Sequence, residues 1–144
     1  MVEPTGGTPG RLRSLPTWQL AQANARAHAL LSEALARSGS RGHHYRLLAA
    51  LQESGPTSQA DVGRAVALDR SDVALGLADL EGRGLIRRDP DARDRRRNRV
   101  TVTPAGTQFL HELDAVMQEV QEAFLVRLST ADRAALSRIL ALLS

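Results

Sequence analysis

The stretch from Thr57 to Thr103, TSQADVGRAVALDRSDVALGLADLEGRGLIRRDPDARDRRRNRVTVT, decides the fold of this chain. It contains two short segments of helical spacing joined by a tight turn. Two short apolar segments follow, separated by a run of arginine and aspartate. Like charges repel one another, so a partner or a set of internal ion pairs must account for this run. The order of these elements predicts two helices followed by a β-hairpin.

Capping residues mark the starts of the two predicted helices. Ser58 can cap the first helix, which we expect to end near Val66. Asp69 can cap the second helix, which we expect from Arg70 to about Arg83. Three apolar residues of the second helix share one face and are expected to point inward: Val73, Leu77 and Leu80.

The apolar segments after these helices predict a β-hairpin with a basic tip. Leu85–Arg88 is a short strand, and Arg99–Thr103 alternates valine with polar residues, which is the period of a half-buried strand. The loop between them, DPDARDRRRN, is longer than most hairpin loops. Eight of the 19 basic residues, all of them arginine, lie between Arg83 and Arg99, against three acidic residues. Ordering so basic a tip is costly, which indicates that the tip has a function.

Helical segments flank this stretch on both sides. We expect helices from Trp18 to roughly Arg37, from about His43 to Gln52, and from Ala105 to about Leu128. A last helix, capped by Ser129, places four apolar residues on one face: Leu136, Ile139, Leu140 and Leu143. Spacings of three and four in the helix before it form a coiled-coil-like seam of Leu110, Leu113, Met117, Val120 and Phe124. The seam is either intrachain core or a dimer contact.

Composition limits the classes of function. The chain has 144 residues, 42% of them hydrophobic, which fits one domain. It has no cysteine, which excludes disulfides, thiolate zinc sites and thiol redox sensing. It has neither an apolar run of about 20 residues, as a bilayer span needs, nor the apolar region of a secretory signal, so we expect a cytoplasmic protein. Residues 1–15, rich in glycine and proline, predict a flexible tail.

The sequence carries no catalytic or metal-binding motif. It lacks a glycine-rich phosphate loop and a nucleophile elbow, and no motif links its histidines to serine or aspartate. His43 and His44 are adjacent, and neighbours on a helix point about 100° apart, so they are not a natural pair of metal ligands. We therefore expect no enzyme activity, no metal and no cofactor.

Two helices followed by a basic hairpin form a winged helix-turn-helix. The major groove of DNA admits one helix, and side chains near the N-terminus of that helix read the base edges. The candidates for this role are Arg70, Ser71, Asp72, Ala74 and Leu75. A hairpin tip can reach the neighbouring minor groove, whose negative potential attracts arginine. The sequence therefore predicts contact with double-stranded DNA.

The same stretch resembles the winged helix-turn-helix of the MarR (multiple-antibiotic-resistance) family of transcriptional regulators. The most specific part is the wing, DRR followed by an alternating strand and TPAG, and the segment LEGRGLIRR adds to it. The pattern covers about Thr57 to Gly106. The resemblance implies a mostly α fold with a small β-hairpin wing, in one domain spanning residues 16–144. Residues 43–104 would form the winged lobe, and residues 16–40 and 105–144 the dimerisation helices.

The resemblance implies roles for the residues of the wing tip. Asp94 would hold Arg96, and Arg96 would enter the minor groove. These two residues are two apart, so in an extended segment they should point to the same side. Arg95 and Arg97 would then point to the other side, toward backbone phosphate or solvent.

The resemblance also implies roles for residues of the two short helices. Ser58 and Gln59 match positions that touch phosphate, and Arg70–Leu75 matches the base-reading segment. Asp72 and Leu75 depart from the common pattern. Asp72 either accepts a hydrogen bond from a cytosine amine or is only a helix-end charge, and Leu75 either contacts a thymine methyl or packs internally.

The resemblance also implies a homodimer and a small-molecule effector. Family members form homodimers through their terminal helices and bind effectors between those helices and the DNA-binding lobe, so Trp18 and His44 are weak effector candidates. The seam from Leu110 to Phe124 would then serve both as core and as dimer contact. We expect a homodimeric repressor on a pseudo-palindromic operator, with half-sites about one helical turn apart. Because the chain has no cysteine, either a small-molecule effector releases it or it has no switch. Two alternatives stay open at this point: a protein-interaction module with this fold, and an architectural DNA binder without sequence preference.

Overall fold

Helices and short strands alternate along residues 7–144, the part of the chain that the computed structural model describes. Residues 1–6 of the predicted flexible tail lie outside that part, and the rest of the predicted tail includes a short helix. The elements are α1 (Gly10–Arg13), α2 (Pro16–Arg37), α3 (Gly42–Ser54), β1 (Thr57–Ser58), α4 (Gln59–Ala65), α5 (Arg70–Gly82), β2 (Ile86–Pro90), β3 (Asn98–Val102), α6 (Pro104–Leu125) and α7 (Thr130–Leu143). The predicted mostly α fold with a small β-hairpin wing is confirmed.

The two short central helices start at their predicted caps. The Ser58 side chain accepts a hydrogen bond from the backbone N–H of Asp61, and the Asp69 side chain accepts one from Asp72. These bonds satisfy donors that have no partner inside the first turn of a helix. The turn between the helices contains Ala67 at a positive φ of 52°, a backbone conformation that tightens the reversal. Val73, Leu77 and Leu80 of α5 face the core, as predicted.

The sheet is antiparallel, with strand order β1-β3-β2. The β2–β3 hairpin is paired from Ile86 and Val102 at its base to Pro90 and Asn98 near its tip. Because both strands extend further than the sequence predicted, the hairpin loop is residues 91–97 and not the whole of residues 89–98. Strand β1 was not predicted from the sequence and pairs with the edge of β3 opposite β2. A two-residue strand is too short to carry an alternating pattern.

The core lies between α3, α5, the sheet and α6. Its fully buried side chains are all aliphatic, as the low aromatic content requires: Leu35, Leu47, Leu48, Leu51, Leu77, Leu80, Leu113, Val62 and Val100. Within the predicted seam of α6, Leu110, Leu113 and Val120 are buried in the single chain, and Met117 and Phe124 are half-buried. Leu110, Leu113 and Val120 thus contribute to intrachain core, where α6 packs along α2 and α3.

The last helix, α7, differs from α2 to α6 in its exposure. None of its residues is buried in the single chain. Large apolar side chains lie exposed on it: Ile139, Leu140, Leu142 and Leu143. Leu15, Leu20 and Val126 are exposed large apolar residues as well. Among residues 7–144, no helix has the length and hydropathy that a membrane crossing needs.

Candidate nucleic-acid interface

A cleft of about 850 Å³ lies between α4, the first turns of α5 and the wing. Six of the predicted DNA-contact residues line it together: Ser58, Gln59, Arg70, Ala74, Arg96 and Arg97. Arg64, which the sequence analysis did not single out, lines it too and pairs with Asp61. The fold thus brings the two helices and the wing tip, separate in sequence, to one basic face.

The first turns of α5 present their side chains to solvent. Arg70, Ser71 and Ala74 are exposed, and Asp72 is half-buried. Leu75 is 54% exposed, so internal packing does not account for it. Its exposure leaves part of the Leu75 side chain available to a partner.

The cap of α5 adds negative charge beside these side chains. Hydrogen bonds from the backbone N–H of Asp72 and from the Ser71 hydroxyl hold the pKa of Asp69 below its usual range. Asp69 therefore stays a carboxylate at neutral pH and keeps the first turn ordered. The Ser71 hydroxyl has already donated its hydrogen, so toward a ligand it can only accept one.

The wing tip is a turn rather than an extended segment. The backbone N–H of Arg97 donates to the carbonyl of Asp94 at 3.0 Å, and the N–H of Arg96 donates to the Asp94 carboxylate at 3.0 Å. The predicted pair is present, with Nε of Arg96 3.3 Å from Oδ1 of Asp94. The guanidinium remains free for a partner, because the Arg96 side chain is 92% exposed.

The turn overturns one expectation about the wing. Arg97 was predicted to point away from Asp94 and Arg96, together with Arg95. Instead, Nε of Arg97 lies 3.9 Å from Oδ2 of Asp94, and Arg97 lines the cleft beside Arg96. Arg95 lines a separate small cleft together with Pro90, Asp91 and Ala92. The alternation predicted from an extended backbone fails because a turn does not preserve the two-residue period.

The two candidates for phosphate contact at the start of α4, Ser58 and Gln59, differ in whether they have a free hydrogen-bond donor. The Ser58 hydroxyl donates to the Asp61 carboxylate at 2.7 Å and accepts the Asp61 N–H at 3.1 Å. That bond with Ser58, and then the nearby Arg64, lower the pKa of Asp61. Ser58 thus has no hydrogen left for a phosphate oxygen unless it releases Asp61. Gln59 makes no side-chain hydrogen bond within residues 7–144 and keeps its amide available.

Arginines at the base of the wing have internal partners, which the sequence analysis missed. Arg88 binds Glu81 through two parallel hydrogen bonds of 2.9 and 3.1 Å, which tie β2 to α5. Arg87 binds Asp89 at 2.8 Å, and Arg99 donates to a backbone carbonyl at 3.3 Å. The Arg88 bond lowers the pKa of Glu81. The arginine run therefore divides into a structural base and a free tip.

The two weak effector candidates differ in their surroundings. Trp18 is half-buried on α2. His44 is 2% exposed, and both of its ring nitrogens already face partners inside the chain. Burial, and then the neighbouring His43, lower the pKa of His44. A buried, internally bonded imidazole is a poor effector ligand. No group of three or more potential metal ligands comes together within residues 7–144.

Comparisons with known proteins agree with this geometry. A model described as the MarR family matches residues 38–97. A crystal structure of a probable transcriptional regulator from Pseudomonas aeruginosa has a TM-score of 0.83 and 33% identity, covering 93% of this chain and 100% of that one. The chain belongs to the MarR family of winged helix-turn-helix transcriptional regulators.

Other relatives add to this assignment. The repressor CouR, solved bound to a 23-mer DNA duplex, has a TM-score of 0.84 and 25% identity, covering 95% of this chain and 97% of that one. Bordetella bronchiseptica BpsR, whose DNA binding is regulated by 6-hydroxynicotinic acid, has a TM-score of 0.79 and 27% identity over 87% of this chain and 95% of that one. A Thauera aromatica protein named for regulation of the hcr operon is 33% identical over 67% of this chain. The match spans 58% of that relative's length.

Proposed function

We propose that this protein is a sequence-specific transcriptional repressor that binds a pseudo-palindromic DNA site as a homodimer and is released by a small-molecule effector. The observation that carries the proposal is the single basic face on which α4, the start of α5 and the wing tip meet. The position of the wing tip beside the start of α5 suits the division of DNA contacts between two grooves. One helix enters the major groove, and a flanking arginine enters the minor groove.

Each part of the basic face has a separate task in this proposal. The base-reading side chains are Arg70, Ser71, Asp72, Ala74 and Leu75. Leu75 is exposed, and a thymine methyl group would be its apolar partner. Arg96 enters the minor groove while Asp94 fixes its direction. Gln59, Arg95 and Arg97 contact backbone phosphates, which fix register and carry little sequence information.

The exposed apolar side chains support the homodimer. The large residues exposed on α7 at 40–77% form a group that a single chain leaves in water. Contiguous exposed apolar surface is typical of an association site, and most homo-oligomers are two-fold symmetric dimers. Residues 16–40 and 105–144 would supply the interface. Two copies of the basic face would then address two half-sites about one helical turn apart.

Repression and effector release are supported by relatives. CouR is a repressor solved on DNA, and the DNA binding of BpsR responds to an aromatic carboxylic acid. Half-buried Trp18 is the better of the two effector candidates on the chain, because the ring nitrogens of His44 are already bonded. In this proposal the protein acts on DNA in the cytoplasm.

Selection of bound duplexes from a random pool tests the proposal directly. We expect an enriched inverted repeat whose half-site centres are about 10–10.5 base pairs apart, or a multiple of that, and a particle of two chains by light scattering. Enrichment of no sequence would support an architectural binder instead. Absence of any duplex binding at low ionic strength would overturn DNA binding altogether and favour a protein-interaction module.

A further inference from the structure

The end of α5 that faces away from the proposed DNA contact is held by two side chains. We call the set of Asp79, Arg83 and their partners His44, Gly39 and Phe109 the α5 clasp. Oδ2 of Asp79 lies 3.2 Å from Nε2 of His44 on α3. Arg83, which follows the last residue of α5, donates from Nη1 to the Gly39 carbonyl at 3.0 Å. Its guanidinium carbon lies 4.7 Å from the centre of the Phe109 ring on α6.

The imidazole in the clasp is fixed in one tautomer. Nδ1 of His44 accepts a hydrogen bond from the backbone N–H of Arg41 at 3.1 Å, so the proton of the neutral ring is on Nε2. Nε2 therefore donates to Asp79 from a ring that is almost fully buried. Water does not compete for that donor, which makes the orientation of the pair specific.

The middle of α5 is fixed by a close approach of helices. A methyl group at Gly76 would lie 2.7 Å from Cδ1 of Leu47 and 3.0 Å from Cδ2 of His43, both on α3. Only a residue without a side chain allows α5 to lie so near α3. The helix is thus held at its middle and C-terminal end, and Val73 packs its first turns on the core, while Arg70 and Ala74 are exposed on the basic face.

We infer that Arg83 is a positioning residue that sets the tilt of α5 against α6 and thereby the half-site spacing that the dimer accepts. Arg83 contacts Phe109 on α6 and the carbonyl of Gly39 in the α2–α3 turn. This one side chain therefore fixes the position of α5 relative to both proposed dimerisation segments. The inference rests on the proposed function, because half-site spacing has meaning only for a dimer on DNA.

The geometry of a lever gives the size of the effect. The 13 residues of α5 make a helix about 20 Å long. Gly76, where the helix is held, lies about 9 Å from Arg70 along the helix axis. A tilt of about 20° there would move the first turn by about 3 Å, which is close to the rise of one base pair, about 3.4 Å. In a symmetric dimer the displacement occurs twice. A loosened clasp therefore changes which spacing fits, even where each half-site is still read correctly.

The experiment compares Arg83→Met with Arg37→Met. Methionine keeps an apolar stem over Phe109 but removes the guanidinium, and the control loses the same charge from an exposed pair with Glu33 on α2. Duplexes carry the selected half-sites at the native spacing and at spacings one base pair shorter and longer. We expect the native-to-altered affinity ratio to fall at least about threefold in Arg83→Met and to stay at the wild-type value in Arg37→Met. Affinity for an isolated half-site should change less than twofold in both.

Amide hydrogen exchange without DNA provides a readout that does not depend on the proposed function. We expect faster exchange across α5 in Arg83→Met than in Arg37→Met. If Arg83→Met does not fold, Phe109→Leu removes the ring, leaves a smaller apolar side chain in its place and should act in the same direction. An unchanged spacing ratio with unchanged α5 exchange would overturn the positioning role. A wild-type protein without spacing preference would instead overturn the dimeric site, and faster α5 exchange would still support the clasp.

Discussion

The two ends of α5 differ in whether their side chains have partners inside the chain. At the N-terminal end, Arg70 and Leu75 make no ion pair and no core contact within residues 7–144 and face solvent. At the C-terminal end, Asp79, Glu81 and Arg83 each bind a side chain or carbonyl of another element. One helix thus separates recognition from positioning. Polar groups that lack internal partners are available to a ligand, and those with partners determine where the available ones lie.

The wing repeats this division within a single arginine run. Arg87, Arg88 and Arg99 at its base are bonded inside the chain, whereas Arg96 and Arg97 at its tip share only Asp94. Arginine residues that are neighbours in sequence therefore have different tasks. Substitutions at the base and the tip, or at the two ends of α5, should separate effects on DNA affinity from effects on stability.

The largest expected effect is on DNA affinity at the free tip. Arg96→Ala should weaken operator binding about tenfold or more, because a charge-assisted hydrogen bond contributes about 1.5–3 kcal/mol and 1.4 kcal/mol is a factor of ten. Fluorescence anisotropy titration measures the loss. It should be greater on duplexes with A·T-rich flanks, whose narrow minor groove concentrates negative potential.

Arg87→Ala is the matched control for the tip, since it removes the same charge from a paired position at the base of the wing. We expect its affinity to stay within about threefold of wild type, as its guanidinium is bonded to Asp89. Equal losses for the two variants, or a loss for Arg96→Ala that is the same on every flank, would contradict insertion of Arg96 into the minor groove.

The next effect is on stability where α5 is held. Gly76→Ala should lower the free energy of unfolding by about 1–3 kcal/mol, because the added methyl group meets Cδ1 of Leu47, a side chain that is fully buried among core residues. Gly82→Ala is the control, since a Cβ there meets nothing within 4 Å, and we expect it to be neutral or stabilising by about 0.5–1 kcal/mol. Urea denaturation measures both. A tolerated Gly76→Ala would remove the argument for close helix packing.

The features that the sequence predicted correctly are local ones. The caps at Ser58 and Asp69 depend on residues three apart, and the strand containing Val100 follows a two-residue period. Such signals need no knowledge of the rest of the fold. The pair of Asp94 and Arg96 was also found, though through the family resemblance and with the wrong backbone geometry.

The features that the sequence did not predict depend on tertiary packing. His44 and Asp79 are 35 residues apart, and neither position carries a pattern that would pair them. The bond between Glu81 and Arg88 crosses from a helix to a strand, so no single periodicity describes it. The side on which Arg97 lies is set by a turn that hydrogen bonds to one carboxylate hold. The helices and strands could therefore be predicted from the sequence, but the side-chain pairs that join one element to another could not.

A smaller effect is expected at the free end of α5, where order depends on one cap. Asp69→Ala should lower the melting midpoint by a few degrees, because the first turn loses the acceptor for the Asp72 N–H. Asp69→Asn keeps an acceptor oxygen and should leave the midpoint close to that of wild type. Calorimetry of the two variants tests this. If alanine and asparagine behave alike, the cap does not stabilise the helix.

The smallest effect is a pH dependence in the clasp. Burial, and then His43, lower the pKa of His44, and Arg83 acts in the same direction against the opposing Asp79. The unfolded chain then takes up a proton near pH 6.5 that the folded chain resists. Unfolding free energy is therefore fully retained above about pH 6.5 and falls below it, by less than about 1.4 kcal/mol per pH unit. Urea midpoints at pH 7.5 and 5.5 should differ less in His44→Gln than in wild type, and His28→Gln, at an exposed site, should keep the wild-type difference. If the difference between the two urea midpoints is the same in wild type, His44→Gln and His28→Gln, the titrating group lies outside the clasp.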